Sequence, residues 1–150
     1  MRKRTPQQEL MEIKYVENGL TAEQYVALMK SCGRQRTELQ SEMALKGGLY
    51  NVLAKDGEQA VGMGRLIGDG VMYWYIQDVM IRPEYQGKGI GKTIIEYLLR
   101  HVESNGVSGT SAYVGLMSAK GKDGFYEKLG FIARPNEKYG AGMDRWIEIK

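Results

Sequence analysis

Gln86-Gly87-Lys88-Gly89-Ile90-Gly91-Lys92-Thr93 sets three glycines at alternate positions among two lysines. Glycines at alternate positions let the backbone turn sharply with no side chains in the way, so successive N–H groups can point into one small space. The run that follows, Ile90 to Val102, has the apolar spacing of a helix. The first N–H groups of a helix have no intrahelical partner, and its macrodipole adds roughly half a positive charge there. Such a place binds anions, and a phosphate-bearing ligand is the natural occupant.

Two phosphate-binding motifs can be tested letter by letter. The P-loop needs a glycine, four intervening residues and then Gly-Lys-Ser/Thr; counted back from Gly91-Lys92-Thr93, the first glycine would fall at Gln86. The dinucleotide fingerprint G-x-G-x-x-G places its third glycine at Lys92 or at Ile94, so it fails as well. Gly91-Lys92-Thr93 by itself leaves a nucleotide phosphatase or kinase as a distant reading.

Gln/Arg-x-x-Gly-x-Gly does fit, as Gln86-Gly87-Lys88-Gly89-Ile90-Gly91, after the strand ending Val79-Met80-Ile81 and before a helix. Phe125-Tyr126-Glu127-Lys128-Leu129-Gly130-Phe131 supplies a second motif. Together these resemble the GCN5-related N-acetyltransferase (GNAT) family over most of the chain. The resemblance implies a GNAT fold of α+β (α/β) class: a mixed, mostly antiparallel central sheet of six to seven strands flanked by about four helices, in three α-β-α layers. It implies acetyl-CoA as co-substrate, with no metal, and direct attack of a neutral primary amine on the thioester carbon.

On that resemblance the backbone of Gln86, Gly87, Lys88, Gly89, Ile90, Gly91 and Lys92 would hold the pyrophosphate. Val79 and Ile81 would pair with the pantetheine arm as an extra strand does. The N–H of Val79 would face the thioester oxygen, and Tyr126 would protonate the leaving thiolate, a transfer that a phenol of pKa about 10 can make. The family often has Asn seven residues and Ala four residues before this tyrosine; here Ala119 and Lys122 stand there. Ser118 to Lys122 is instead a small basic segment, either a contact to the adenosine phosphates or a solvated loop.

The general base is less well marked. Relatives carry Glu or His where Tyr75 and Gln77 stand, and neither of these is a ready base at neutral pH. Asp78 is the adjacent candidate, although strand alternation aims it at the opposite face, where its carboxylate would instead brace the sheet. A water chain could serve in its place. His101 falls on the polar side of the following helix, away from the site. Tyr73-Trp74-Tyr75 reads either as an aromatic wall suited to an arylalkyl amine or as residues that favour strands. The absent carboxylate at Gln77 also motivates an alternative function, a CoA-binding sensor with little catalysis.

The elements that must position these residues can be read in order. Met11 to Val16 alternates as a strand. Thr21 and Thr37 open two helices with capping patterns, the first ending near Cys32-Gly33 and the second at Gly47-Gly48. Leu49 to Ala54 and Gln59 to Ile67 form a hairpin about Asp56-Gly57, and Gly68-Asp69-Gly70 turns the chain into Val71 to Ile81. On that third strand Tyr73, Tyr75, Gln77 and Val79 share one face, and Trp74, Ile76, Asp78 and Met80 the other. Ile94, Ile95, Leu98, Leu99 and Val102 form the stripe of the helix after the loop. Val107 to Leu116 returns as a strand, Asp123 to Leu129 is a helix closed by Gly130, and Phe131 to Ala133 and Met143 to Ile149 are the last strands.

A chain of 150 residues fits one domain with a real core, here residues 1–150 with 1–8 as a flexible tail. A net charge of +3, spread along the chain apart from Arg2-Lys3-Arg4, argues against a nucleic-acid partner. The single Cys32 allows no internal disulfide, and with the single His101 it leaves no metal cluster to build. No apolar stretch approaches the ~20 residues that cross a bilayer, so no membrane partner is expected and the reading is a cytoplasmic protein. A small-molecule amine is the favoured acceptor. By analogy with relatives, a homodimer is expected, with Ala141, Gly142, Met143 and Trp146 at its interface.

Overall fold

The computed structural model describes residues 12–150, so the expected tail at 1–8 and Met11 lie outside the described residues. Packing divides the chain into two units, one running to Leu116 and one from Met117 to Lys150. The first holds β1 (Ile13–Glu17), α1 (Ala22–Ser31), α2 (Glu38–Gly47), β2 (Tyr50–Asp56), β3 (Gln59–Gly68), β4 (Tyr73–Ile81), a 3-10 turn at Pro83–Tyr85, α3 (Ile90–Asn105) and β5 (Tyr113–Gly115). The second holds one short helix, α4 (Asp123–Glu127).

The helix starts follow the capping chemistry. Thr21 accepts from the Gln24 N–H at 3.2 Å while Gln24 returns a bond to the Thr21 N–H at 2.9 Å, and Thr37 accepts from the Gln40 N–H at 3.1 Å. The five strands form one sheet in the order β1-β2-β3-β4-β5. The first three pairings are antiparallel, and β4 with β5 is parallel.

Both sheet faces are covered. Tyr25, Leu28 and Met29 of α1 pack with Leu53 and Met63 on one face. On the other, α3 buries Ile90, Ile94, Ile95, Leu98 and Val102. It lies close to β3: a Cβ built on Gly64 would come within 2.6 Å of Ile94 Cγ2, and one on Gly62 within 3.3 Å of Ile94 Cδ1. Two missing side chains thus let the helix that begins at the loop sit directly on the strand behind it.

Among the described residues the sheet has five strands, not six or seven. Phe131 to Ala133 and Met143 to Ile149 have no strand assignment, and Ile132, Met143, Trp146, Ile147 and Ile149 are exposed. Alternation marks a propensity to extend, but a strand exists only where another edge takes its hydrogen bonds. For the same reason Val107 to Leu116 shortens to Tyr113–Gly115, the three residues that β4 pairs.

Candidate active site

Helix α3 begins at Gly89, whose φ of +82° is left-handed, two residues after Gly87 with φ of +76°. No side chain caps this N-terminus and no acidic residue occupies its first turn. A Cβ built on Gly87 or Gly89 would meet nothing within 4 Å, so the space above this backbone is open. The orphan N–H groups and the positive end of the helix dipole therefore face a place an anion can reach. Lys92 Nζ lies 3.9 Å from Glu96 Oε1 on the surface, and Lys88 Nζ lies 5.5 Å from the centre of the Tyr85 ring.

The loop is tied to the sheet on both sides. Gln86 Nε2 donates to the Ile81 carbonyl at 3.1 Å, Arg82 Nε to the Ala60 carbonyl at 2.7 Å, and Tyr85 Oη to Asp56 Oδ2 at 2.5 Å. These bonds hold Gln86, at the start of the loop, against Ile81 at the end of β4. Among the described residues, β4 has no register partner on the β5 side beyond Tyr75, and the Ile81 carbonyl accepts from Gln86 Nε2 and Cys32 Sγ.

Asp78 departs from simple alternation. Its φ is +55°, and the β3–β4 register shifts between Met63 and Arg65, setting Asp78 and Val79 together against Gly64. The bulge turns the Asp78 side chain to the α1 face, where it accepts from Tyr25 Oη, from Arg65 Nε at 3.0 Å and from Gln77 Nε2 at 3.2 Å. Asp78 and Gln77, assigned opposite faces by period-2 counting, therefore touch. Val79 turns the other way and packs near Gly64 among the α3 side chains. Burial, then the bond to Asp78 and its negative charge, push the Tyr25 hydroxyl up to about 12, which keeps it a neutral donor.

Sequence reasoning missed Tyr25 and Arg65. Tyr25 was legible only as part of an apolar helix stripe. Arg65 carried the one available signal, a lone charge between Gly64 and Leu66 in an apolar strand.

Tyr126 lies in the second unit on α4, half-buried, with the Phe125 and Phe131 rings edge-on at 5.0 Å and 5.9 Å. The Phe131 N–H donates to the Tyr126 carbonyl at 3.2 Å as Gly130, with φ of +93°, ends the helix. Burial raises the Tyr126 pKa, so its hydroxyl keeps its proton at neutral pH. Helix α4 stops at Glu127 and not at Leu129.

The aromatic triplet forms no wall. Trp74 is buried edge-on to His101 at 5.7 Å, while Tyr73 is exposed against Tyr113. His101 is not on a solvated face either: it stacks on Tyr50 at 4.0 Å. A hollow of about 450 Å³ lined by Leu99, Val102, Val107 and Val114 lies at the C-terminal end of α3, away from the loop. Among the described residues no cluster of His, Cys, Asp and Glu could hold a metal ion, and no helix is long and apolar enough to cross a membrane.

The acetyltransferase (GNAT) domain family matches residues 15–146. The chain belongs to the GCN5-related N-acetyltransferase family. It is 32% identical over 116 residues to an uncharacterized ycf52-like N-acetyltransferase of Prochlorococcus marinus, covering 72% of this chain and 61% of that one. It is 30% identical over 121 residues to the chloroplastic GCN5-related N-acetyltransferase 1 of Arabidopsis thaliana, covering 79% and 59%. The chain thus spans only about three fifths of the length of these curated relatives. A crystal structure of a meticillin-resistant Staphylococcus aureus protein of unknown function, described as a probable acetyltransferase, superposes with a TM-score of 0.78 at 30% identity over 89% of this chain and 99% of that one. As in that family's fold, helices cover both faces of a mostly antiparallel sheet.

Two outcomes follow from the site's geometry. Gly89→Ala adds no clash but places an alanine at φ of +82°, so it should lower stability by about 1–2 kcal/mol in chemical denaturation. His101 is depressed by burial more than Glu17 raises it, so the folded chain holds it neutral. The fold should therefore keep its full stability above about pH 6.5 and lose the His101 contribution as pH falls below that value. Thermal melts across pH 5 to 7 should show a shallower decline in His101→Phe, and parallel curves would exclude His101 as the source.

Proposed function

We propose that the chain transfers the acetyl group of acetyl-CoA to a primary amine, favouring a small molecule. Residues 1–150 are read as one such catalytic domain. The observation that carries this reading is the uncapped start of α3 beside the unpaired edge of β4, which together offer an anion site and a strand partner within one loop's length. The cofactor supplies an activated thioester. The backbone from Gln86 to Lys92 would bind its pyrophosphate, and Val79 to Ile81 would hold its amide-bearing arm.

A neutral amine nitrogen forms the new bond to the acetyl carbon as the carbon–sulfur bond breaks. The amine gives up a proton and the departing thiolate takes one, so both charges are balanced. The Val79 N–H is assigned to the thioester oxygen, where charge develops. Tyr126, kept protonated by its apolar surroundings, is assigned the proton for sulfur. The Asp78 carboxylate is enclosed by Tyr25, Arg65 and Gln77, so the proton from the amine is assigned to a water chain.

The test is a broad amine panel with acetyl-CoA, following free thiol. Amine-dependent thiol release supports the transferase, and Tyr126→Phe should then lower turnover by about a hundredfold with little change in acetyl-CoA affinity. Unchanged turnover removes Tyr126 as the acid. Tight CoA binding with no release above hydrolysis favours the sensor reading that Gln77 motivates.

The same reading carries a cytoplasmic setting and a homodimer built through Ala141, Gly142, Met143 and Trp146, since Met143 and Trp146 offer apolar surface to a partner. Sedimentation at several concentrations should give the dimer mass, and Trp146→Glu should give the monomer. A monomer mass for the unmodified chain at all concentrations excludes the dimer.

A further inference from the structure

A non-glycine residue at φ of +55° is an outlier that needs a cause, and for Asp78 the cause is visible in its side chain. The Asp78 side chain is only 3% exposed, and a carboxylate stripped of water is costly unless hydrogen bonds replace that water. Three donors from three places replace it: Tyr25 from helix α1, Arg65 from strand β3 and Gln77 from its own strand. Arg65 also lies 5.7 Å from the centre of the Tyr25 ring, so two of the donors brace each other. These bonds exist only while residue 78 bulges, because regular alternation would aim the carboxylate at the α3 face, away from Tyr25.

The bulge has consequences for its neighbours. It stands three residues beyond Tyr75, where the β4–β5 pairing ends, and it turns Val79 toward α3. We propose that Tyr25, Arg65 and Gln77 are positioning residues acting through Asp78: by holding its carboxylate they lock the bulge that presents Val79 to Ile81 as an open strand edge for the amide-bearing arm of the cofactor. Asp78 is then a latch on the backbone and not a base, since three of its roughly four acceptor positions are taken.

This inference rests on the acetyl-CoA reading above, and its test separates the two. Unmodified chain, Tyr25→Phe, Asp78→Asn, Asp78→Gly and Asp78→Ala are titrated calorimetrically with acetyl-CoA and with ADP, and each is melted. ADP lacks the arm and needs only the loop. Tyr25→Phe and Asp78→Ala should lose acetyl-CoA affinity by about threefold to thirtyfold while ADP affinity holds. Asp78→Asn, which tolerates a left-handed backbone and keeps an acceptor, should recover most of that loss. Asp78→Gly should melt above Asp78→Ala, reversing the order that the two residues show within ordinary strands.

Equal losses for both ligands mean a general loss of fold and overturn the proposal. So does unchanged acetyl-CoA affinity in every variant, or Asp78→Asn that binds normally but loses the basic dependence of the rate, which would make Asp78 the base. If the unmodified chain binds ADP but not acetyl-CoA, the cofactor reading fails on its own. The latch is then decided by the melting order of Asp78→Gly and Asp78→Ala.

Discussion

One buried carboxylate governs the middle of the sheet. Asp78 has exchanged water for Tyr25, Arg65 and Gln77, and the exchange is possible only with the backbone of β4 bulged against Gly64. Breaking such a set by removing one partner leaves an uncompensated charge, which is far costlier than never having buried it. Helix α1, strand β3 and strand β4 are therefore tied at the point where β4 leaves the company of β5.

The opposite face is governed by shape. Gly62 and Gly64 remove the side chains that would hold α3 off the sheet, and Ile90, Ile94 and Leu98 fill the space. Because α3 seats its apolar stripe on β3, its first turn arrives beside the end of β4, and the bonds from Gln86 and Arg82 fix the short connection. The uncapped end of the helix and its place beside the end of β4 are thus consequences of packing, with no long side chain reaching out to make either.

His101 and Trp74 show how the rest of α3 is secured. Stacked on Tyr50 and edge-on to Trp74, His101 ties the C-terminal half of the helix to β2 and β4. The residue is part of the core's edge, and its lowered pKa expresses burial and not a catalytic setting.

Much of this was legible in order along the chain. The capping box at Thr21, the N-cap at Thr37, the Asp56-Gly57 turn, the alternate glycines at Gly87 and Gly89 and the stripe from Ile94 to Val102 act over a few residues, so the local sequence determines them. The loop at Gln86 to Gly91, with the motif at Tyr126, also placed the family. Tertiary structure decided what depends on distant partners: whether Met143 to Ile149 finds an edge, how little of Val107 to Leu116 pairs, and which way Asp78 points. Counting by twos sent Asp78 and Gln77 to opposite faces, and the bulge brought them together, because a hydroxyl from α1 and a guanidinium from β3 outweigh the local preference of one residue's backbone.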